Sequence, residues 1–345
     1  YEAHRRRGTL PERYRGWAQR EIERDLGMDR VVRDARVFRT ELRGVETRTR
    51  REGETVVTEY VTPLGTVSQR VRQTETMAEA GIQGLEIEHR IKEPADYPVV
   101  AFIIEHTAII PTYDAYRAYA AEIGEATVPL VCLPADPMYT ILQDLIGYEQ
   151  AFYHMQDYPD RIAHLLEVLT DHAHAMQQVV LNSPARLFLH GEHFNSMLTP
   201  PPLFETYMQP YFRAFADKLH AAGKTLACHA DADVSLLLEQ IQDSGFDMVE
   251  CFVTAPMVPL TLEEARHAFG TDVIIWGGLP STLLCDPVTD EAFESYMRNL
   301  FRTIAPGDAF ILGVADNIMP ETKLDRLRRV RELIDTHGHY PITKT

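Results

Sequence analysis

From residue 127 onward the chain alternates short apolar runs with segments whose apolar residues recur at helical spacing. Short apolar runs between helical patterns indicate buried strands. Repeated strand–helix units imply a parallel sheet with right-handed crossovers. The predicted strands are residues 127–133, 186–190, 225–229, 247–252, 273–276 and 310–314. The predicted helices are residues 10–26, 139–181 (as two helices), 202–222, 234–243, 261–269, 290–304 and 324–337.

Six such units fit a (β/α)8 TIM barrel better than an open doubly wound sheet. Neither GxGxxG nor GxxxxGK[ST] follows a predicted strand, so a nucleotide-binding sheet has no positive support. The two missing strands are placed at residues 98–104 and at residues 35–43 or before Tyr1. We therefore predict an α/β fold of the TIM-barrel class.

The segment 36–72 differs from the rest, since three stretches within it alternate polar and apolar residues and are separated by turn sequences. This pattern predicts an antiparallel β-meander. A piece of that size would have little core of its own. We therefore predict one domain over residues 1–345, with the meander as a decoration.

The composition narrows the possible functions. A formal charge of −17 disfavours nucleic-acid binding, which depends on cationic side chains. No apolar run approaches the roughly 20 residues that span a bilayer, so we expect no membrane segment. The four cysteines form no CxxC pair, which fits a reducing cytoplasm. Cys228 and Cys251 lie in apolar runs and are interpreted as core residues.

Ionisable side chains follow several predicted strands, where a TIM barrel carries its active site. His229 ends an apolar run and Asp231 follows two residues later, so both can point to one face. Imidazole and carboxylate groups suit Zn, Mn or Fe, and they also serve in acid–base catalysis. We predict a metal site of His229, Asp231, Asp316 and Glu192, with Glu192, His229 and Asp231 as catalytic residues. Asp136, Asn195 and Trp276 are predicted to line the substrate pocket.

Each of these residues also has a structural interpretation. The stretch after His229 could be a solvated loop, with Asp233 as the N-cap of a helix beginning near Val234. Glu192 or His193 could cap a loop, and Asp316 could start a turn before Pro320. Only their shared position at strand ends favours function.

Several sequence motifs resemble the uroporphyrinogen decarboxylase superfamily over nearly the whole chain. They are Leu198-Thr199-Pro200 leading into the stretch from Phe204 to Tyr211, Gly223-Lys224 before His229, Ser244-Gly245-Phe246-Asp247, Trp276-Gly277-Gly278, Phe310-Ile311-Leu312-Gly313 and Pro320-Glu321-Thr322. The superfamily contains porphyrinogen decarboxylases and cobalamin-dependent methyltransferases.

The methyltransferase branch resembled here binds zinc through a His-x-Cys pair and a later Cys. The matching positions in this chain are His229, Asp231 and Asp316, so carboxylates replace both thiolates. The replacement keeps the capacity to bind a divalent metal, predicted to be zinc, while making the site harder. The decarboxylase branch is marked by an Arg-Gln-Ala-Gly-Arg type motif near its start, and no such motif is visible in this sequence.

The resemblance leads to three hypotheses. The first is a metal-assisted methyltransferase that moves a methyl group from a small methylated substrate to a corrinoid on a partner protein. The alternative is a uroporphyrinogen decarboxylase-type carboxy-lyase of porphyrin metabolism, with Asp136 or Asp231 near the pyrrole nitrogens. The third is a non-catalytic binder on the same barrel. The resemblance also implies a homodimer.

Overall fold

The computed structural model describes residues 1–79, 82–124 and 127–343. Two compact units are present. The first unit comprises residues 1–31, 191–216 and 225–345, and the second comprises residues 32–190 and 217–224.

The described residues form strands and helices with the following bounds. The strands are β1 (Phe38–Leu42), β2 (Glu46–Glu52), β3 (Thr55–Thr62), β4 (Gly65–Arg72), β5 (Leu85–Glu88), β6 (Thr107–Pro111), β7 (Leu130–Leu133), β8 (Leu187–His190), β9 (Thr225–His229), β10 (Met248–Phe252), β11 (Ile274–Pro280) and β12 (Phe310–Ala315). The α-helices are α1 (Glu2–Arg7), α2 (Gln19–Asp25), α3 (Glu75–Glu79), α4 (Asp96–Glu105), α5 (Tyr113–Ile123), α6 (Pro137–Tyr139), α7 (Tyr148–Asp157), α8 (Pro159–Asn182), α9 (Pro201–Leu203), α10 (Gln209–Ala221), α11 (Leu238–Asp243), α12 (Leu262–Phe269), α13 (Asp290–Ile304) and α14 (Leu324–His337). Short 3-10 or π turns cover Glu12–Tyr14, Thr140–Leu145, Phe204–Met208 and Ser281–Leu284.

The first unit contains a run of four parallel strands in the order β9, β10, β11, β12. All five residues of β10 are buried, which explains its nearly continuous apolar sequence. The register places His229, Glu250, Trp276 and Ile311 side by side, one from each strand. Residues paired across parallel strands lie on the same face, so these four side chains form a row at the site described below.

An aromatic cluster packs the core of the first unit beside this sheet. The ring of Phe194 lies 5.2 Å from that of Phe204 and 5.7 Å from that of Phe212. Phe212 in turn lies 4.9 Å from Phe246. The first three rings are fully buried, and Phe246 is 3 % exposed. Because Phe194 belongs to the loop after residue 190, its burial anchors the segment that carries Glu192 and His193.

The second unit contains the parallel pair β7 and β8 and two antiparallel groups. Strands β2 to β5 form a four-stranded antiparallel sheet in sequence order, which includes the three stretches predicted as strands within residues 36–72. Strand β1 pairs antiparallel with β6, a strand that the sequence pattern did not indicate.

The predicted strand at residues 98–104 is wrong, because these residues lie within helix α4. Tyr97, Val99, Val100, Ala101, Ile103 and Ile104 are all buried. A helix buried on nearly every side has no polar face, and its short apolar run cannot be distinguished from a strand by periodicity. The predicted strand near residues 35–43 corresponds to β1, but its partner is antiparallel. Six strands of the described residues therefore pair in parallel, and closure of a barrel stays a prediction.

The predicted helix over residues 10–26 is interrupted. A 3-10 turn covers Glu12–Tyr14, and α2 begins only at Gln19. The carboxylate of Glu21 accepts a hydrogen bond from the Ala18 amide at 2.7 Å, which starts a new helix at that point. Asp233 likewise caps a turn, accepting from the Ser235 amide at 3.0 Å, while α11 begins at Leu238.

Six predicted parallel strands and the helices from residue 139 onward otherwise agree with the structure to within a few residues. No helix in the described part of the chain combines the length and apolar character needed to cross a bilayer.

Candidate metal centre

His229 and Glu250 form the centre of the site in the first unit. They are paired in the register of β9 and β10, so their side chains leave the same face of the sheet. His229 Nδ1 lies 2.7 Å from Glu250 Oε2. The side chains are only 10 % and 3 % exposed. The Glu250 carboxylate therefore orients the ring through Nδ1, as an outer carboxylate orients histidines that bind metals through Nε2.

Asp231 lies on the Nε2 side of His229. The distance from His229 Nε2 to Asp231 Oδ2 is 3.3 Å. The backbone between them is fixed because the Ala230 amide donates to the Glu250 carbonyl at 2.8 Å and the Ala230 carbonyl accepts from Val253 at 3.2 Å. The predicted pair of His229 and Asp231 is therefore brought together at the end of β9.

His193 is the third member of this group. Its Nδ1 lies 2.9 Å and 2.8 Å from the two carboxylate oxygens of Asp231. Its ring lies 5.1 Å from that of His229, nearly perpendicular to it. Donor atoms of His193, His229 and Asp231 all lie within 4.8 Å of one another.

The three groups influence each other's protonation. Burial raises the pKa of Asp231, but hydrogen bonds with His193 and His229 outweigh it and hold this pKa below its ordinary value. The hydrogen bond with Asp231 raises the pKa of His193 above 6.5, against the opposing effect of desolvation. Asp231 is therefore ionised at neutral pH and available as an anionic ligand.

The donor set fits a divalent metal. Two imidazoles and one carboxylate are a common protein ligand set for zinc, and they also bind manganese and iron. Glu250 supplies the outer carboxylate that orients a ligating histidine. His193, His229 and Asp231 would hold the ion, with His229 positioned by Glu250.

Asp316 follows β12 and is half-buried. Desolvation raises its pKa, and the charge of Asp231 raises it further, so the two carboxyl groups interact electrostatically. Asp316 Oδ1 lies 3.7 Å from the Sγ of Cys251. Its donor atoms do not belong to the group formed by His193, His229 and Asp231. The role of Asp316 as a metal ligand stays a prediction.

Glu192 is fully buried. Its charge raises the pKa of both Cys228 and His193, in addition to the larger effects of burial on Cys228 and of the Asp231 hydrogen bond on His193. Like Asp316, it is outside the two ligand groups that the described residues form. Its predicted role as a fourth ligand or general acid stays a prediction.

The three predicted pocket residues have different environments. Trp276 is half-buried and stands next to Glu250 in the row across the sheet. Asn195 Oδ1 accepts from the Met197 amide at 2.9 Å, which stabilises the loop after Phe194. Asp136 is fully buried in the second unit, where it caps α6 by accepting from the Met138 and Tyr139 amides at 2.8 and 3.1 Å. Only Trp276 is placed by its register beside the centre.

Cys251 was interpreted as a core residue, and the structure adds a contact that its burial alone does not suggest. Strand β10 has a bulge at this residue, since Glu250 pairs with Trp276 and Phe252 pairs with Gly277. The φ angle of Cys251 is +61°, in the left-handed region. Gly277 fits this bulge closely, because a Cβ there would lie 2.5 Å from Phe252 N. Donor atoms of His229, Glu250 and Cys251 form a second group within 4.8 Å.

The sequence pattern suggested only a loop-capping role for His193 and no role for Glu250. A charged residue inside the apolar run Met248-Val249-Glu250-Cys251-Phe252 is the signal that could have identified Glu250. A bulge leaves no comparable mark on the sequence, so the contacts of Cys251 could not be foreseen.

Comparisons with known proteins bear on the fold and the family. A methyltransferase from Methanosarcina mazei has a similar structure, with a TM-score of 0.50 and 14 % sequence identity over 74 % of this chain and 72 % of that one. This likeness concerns the fold alone. A search of curated proteins finds no match to this chain. The family model for uroporphyrinogen decarboxylase (URO-D) matches residues 76–337. That match covers well over half of the sequence, and the chain therefore belongs to the uroporphyrinogen decarboxylase family.

Proposed function

We propose that this chain is a metal-assisted methyltransferase, which transfers a methyl group from a small methylated substrate to a corrinoid carried by a partner protein. The observation that carries the proposal is the converging set of His193, His229 and Asp231, with Glu250 behind His229. A divalent metal bound there supplies Lewis acidity toward the heteroatom that loses the methyl group.

The side chains around this set have definite tasks. Glu250 fixes the ring orientation of His229, so that Nε2 faces Asp231. His193 and His229 hold the Asp231 carboxylate in one orientation and keep it ionised. The proposed ligands are therefore preorganised, and little rearrangement accompanies metal binding.

Trp276 contributes an apolar surface beside the ligands. It stands next to Glu250 in the row across β9–β12, with Ile311 on its other side. Its indole packs against the Cα of Gly313, where a Cβ would lie 3.1 Å from the ring. Such a wall suits a methyl group and limits the access of water to it.

The charges of the site disfavour the alternative carboxy-lyase. A porphyrinogen carries several carboxylates, and binding them requires cationic side chains. The centre instead contains Asp231, Glu250 and Asp316, with His193 as its exposed basic group. The negative charges of these carboxylates repel a polyanionic substrate.

The first experiment measures metal content and methyl transfer together. The purified chain is freed of metal, reloaded with Zn²⁺ and mixed with free cob(I)alamin and one methyl donor at a time, from methylated thiols, methylamines and methoxylated aromatics. The methyl–heteroatom bond breaks, the heteroatom gains a proton, and the two-electron nucleophile cob(I)alamin takes the methyl group. Loss of the cob(I)alamin absorbance that depends on both donor and Zn²⁺ supports the proposal.

Matched variants and a second substrate complete the test. His229→Ala is expected to abolish transfer, whereas His164→Ala, an exposed histidine of α8, leaves it unchanged. A chain that binds no metal, or whose His229→Ala variant behaves like the wild type, contradicts the proposal. Release of carbon dioxide from a porphyrinogen would establish the carboxy-lyase instead.

A further inference from the structure

The bulge in β10 brings two neighbouring side chains to one place. In a regular strand, Glu250 and Cys251 would point to opposite faces of the sheet. The extra residue at Cys251 and its φ of +61° break that alternation. As a result a carboxylate oxygen of Glu250, the Sγ of Cys251 and a ring nitrogen of His229 all lie within 4.8 Å of one another.

The three side chains are shielded from solvent. The residues His229, Glu250 and Cys251 are 8 %, 2 % and 9 % exposed. A left-handed conformation at a residue with a Cβ is unfavourable, and such residues concentrate at binding and catalytic sites. The bulge at Cys251 therefore accompanies the placement of its thiol beside Glu250 and His229.

The sulfur changes which ion the group prefers. His193, His229 and Asp231 offer only nitrogen and oxygen, whereas this second group adds a thiol. Thiolate ligands favour zinc and other thiophilic ions over magnesium, calcium and manganese. His229 Nδ1 is the ring nitrogen that contacts Glu250 in this group.

We propose that His229, Glu250 and Cys251 form a sulfur-containing ligand set for a thiophilic divalent cation such as Zn²⁺, Co²⁺ or Cd²⁺. On binding, the S–H bond of Cys251 breaks and its proton passes to solvent, while a proton on the ligating ring nitrogen of His229 moves to the other ring nitrogen. The sulfur, the nitrogen and a Glu250 oxygen each donate an electron pair to the cation, with no change of oxidation state. The carbonyl and carboxylate of Asp316, 3.4 and 3.7 Å from Sγ, hold the thiol in place. Here Glu250 is a ligand, whereas in the proposed function it is the outer carboxylate of His229, so the two sets are alternative sites that share this histidine. The inference rests on the same region as the proposed function but does not require methyl transfer.

The experiment titrates the metal-free full chain with Co²⁺ and records the near-ultraviolet absorbance. A cobalt–thiolate bond gives a charge-transfer band there, which nitrogen and oxygen ligands do not. The wild type is expected to show the band, and Cys251→Ser is expected to lose it. The Co²⁺ affinity of this variant should fall by at least about 10-fold, since a direct ligand contributes no less than an outer-shell partner does. Mn²⁺ affinity is expected to stay the same in this variant.

Cys132→Ser is the matched control, because Cys132 is a half-buried cysteine of β7 in the second unit. It is expected to keep the band. X-ray absorption of the zinc-loaded wild type needs no variant and is expected to show a sulfur shell at about 2.3 Å. The absence of both band and sulfur shell in the wild type, or a band that survives Cys251→Ser, overturns the inference. A chain that binds Co²⁺ through sulfur but transfers no methyl group overturns only the proposed function.

Discussion

The antiparallel sheet β2–β5 of the second unit and the strand ends of the first unit both contain close pairs of a basic side chain and a carboxylate, but the surroundings of these pairs differ. On the sheet, Arg50 Nη1 lies 2.6 Å from Glu59 Oε1, and the two side chains are 50 % and 30 % exposed. At the candidate centre, His229 and Glu250 are 2.7 Å apart but only 10 % and 3 % exposed. Water and salt weaken the contact between Arg50 and Glu59. The contact between His229 and Glu250 is buried, so removing one partner would leave the other polar group unsatisfied at a high cost in free energy.

Contact distance alone therefore does not identify a functional pair. The exposed pair contributes little to stability because solvent screens its charges. The buried pair removes ionisable groups from water, and sites of that kind concentrate binding and catalysis.

The buried pair should dominate metal affinity. We expect Glu250→Ala to weaken Zn²⁺ binding by roughly 10–100-fold, the loss that follows removal of an outer-shell partner. His229→Ala removes a ligand and should weaken Zn²⁺ binding by more than that. Competition with a chromophoric chelator measures both. Glu59→Ala, on the exposed sheet, is the control and should leave affinity unchanged. Equal losses in all three variants would contradict the contrast.

Two glycines with positive φ should respond differently to substitution. Gly277 has φ +147°, and a Cβ there would lie 2.5 Å from Phe252 N, whereas Gly53 has φ +62° with no heavy atom within 4 Å of its Cβ position. Gly53→Ala should lower the free energy of unfolding by about 1–2 kcal/mol through backbone strain alone. Gly277→Ala should lower the free energy of unfolding by about 1–3 kcal/mol through backbone strain. The clash of its Cβ with Phe252 should lower it further.

Urea unfolding measures both glycine variants. If Gly277→Ala is no more destabilising than Gly53→Ala, the bulge is not tightly packed. Since Gly277 supports the bulge at Cys251, its substitution should also weaken the proposed cobalt–thiolate band.

The pair of His193 and Asp231 should make stability depend on pH in the metal-free chain. The pKa of His193 is raised above 6.5, so its contribution is complete below that pH and is lost as pH rises through the folded-state value. The pKa of Asp231 is lowered from 3.8, so its contribution exists above that pH and is lost in strong acid.

Urea unfolding across pH tests this prediction. The stability difference between wild type and His193→Ala should be largest between about pH 4 and 6.5, which are the ordinary pKa values of Asp and His, and should shrink at higher pH. In an Asp231→Asn background the dependence should disappear. A difference that grows with pH would contradict the assigned direction.

The smallest effect belongs to the exposed sheet. A double-mutant cycle on Arg50 and Glu59 should give a weak coupling that fades at high salt, because both side chains are accessible to solvent. Urea unfolding of the four proteins at low and high salt provides the measurement. A coupling that resists salt would show that exposure does not separate the two regions.

Much of the first unit could be predicted because its strands are buried and its crossovers are regular. The apolar run of β9 and its end at His229 follow from the sequence, as does the position of Asp231 two residues later. Helix α4 was mistaken for a strand because it is buried on nearly every side. Strand β6 was missed since its partner β1 lies far away in sequence and no turn signal joins them.

Only the residues of the candidate site that lie at the ends of predicted strands could be identified from the sequence. His229 and Asp231 were identified together, but the partnership of His229 with Glu250 depends on the register between two strands, which composition does not encode. The contact of Cys251 with Asp316 depends in addition on a bulge. These are relations between segments, and they require coordinates.

The side-by-side register of His229, Glu250 and Trp276 has a genetic consequence. A point substitution in β10 alters one contact, but deletion of one codon within residues 248–250 would bring Cys251 into the place of Glu250 and exchange the faces of the residues on one side of the deletion. Descendants of this gene should therefore accumulate substitutions in β10 far more readily than insertions or deletions.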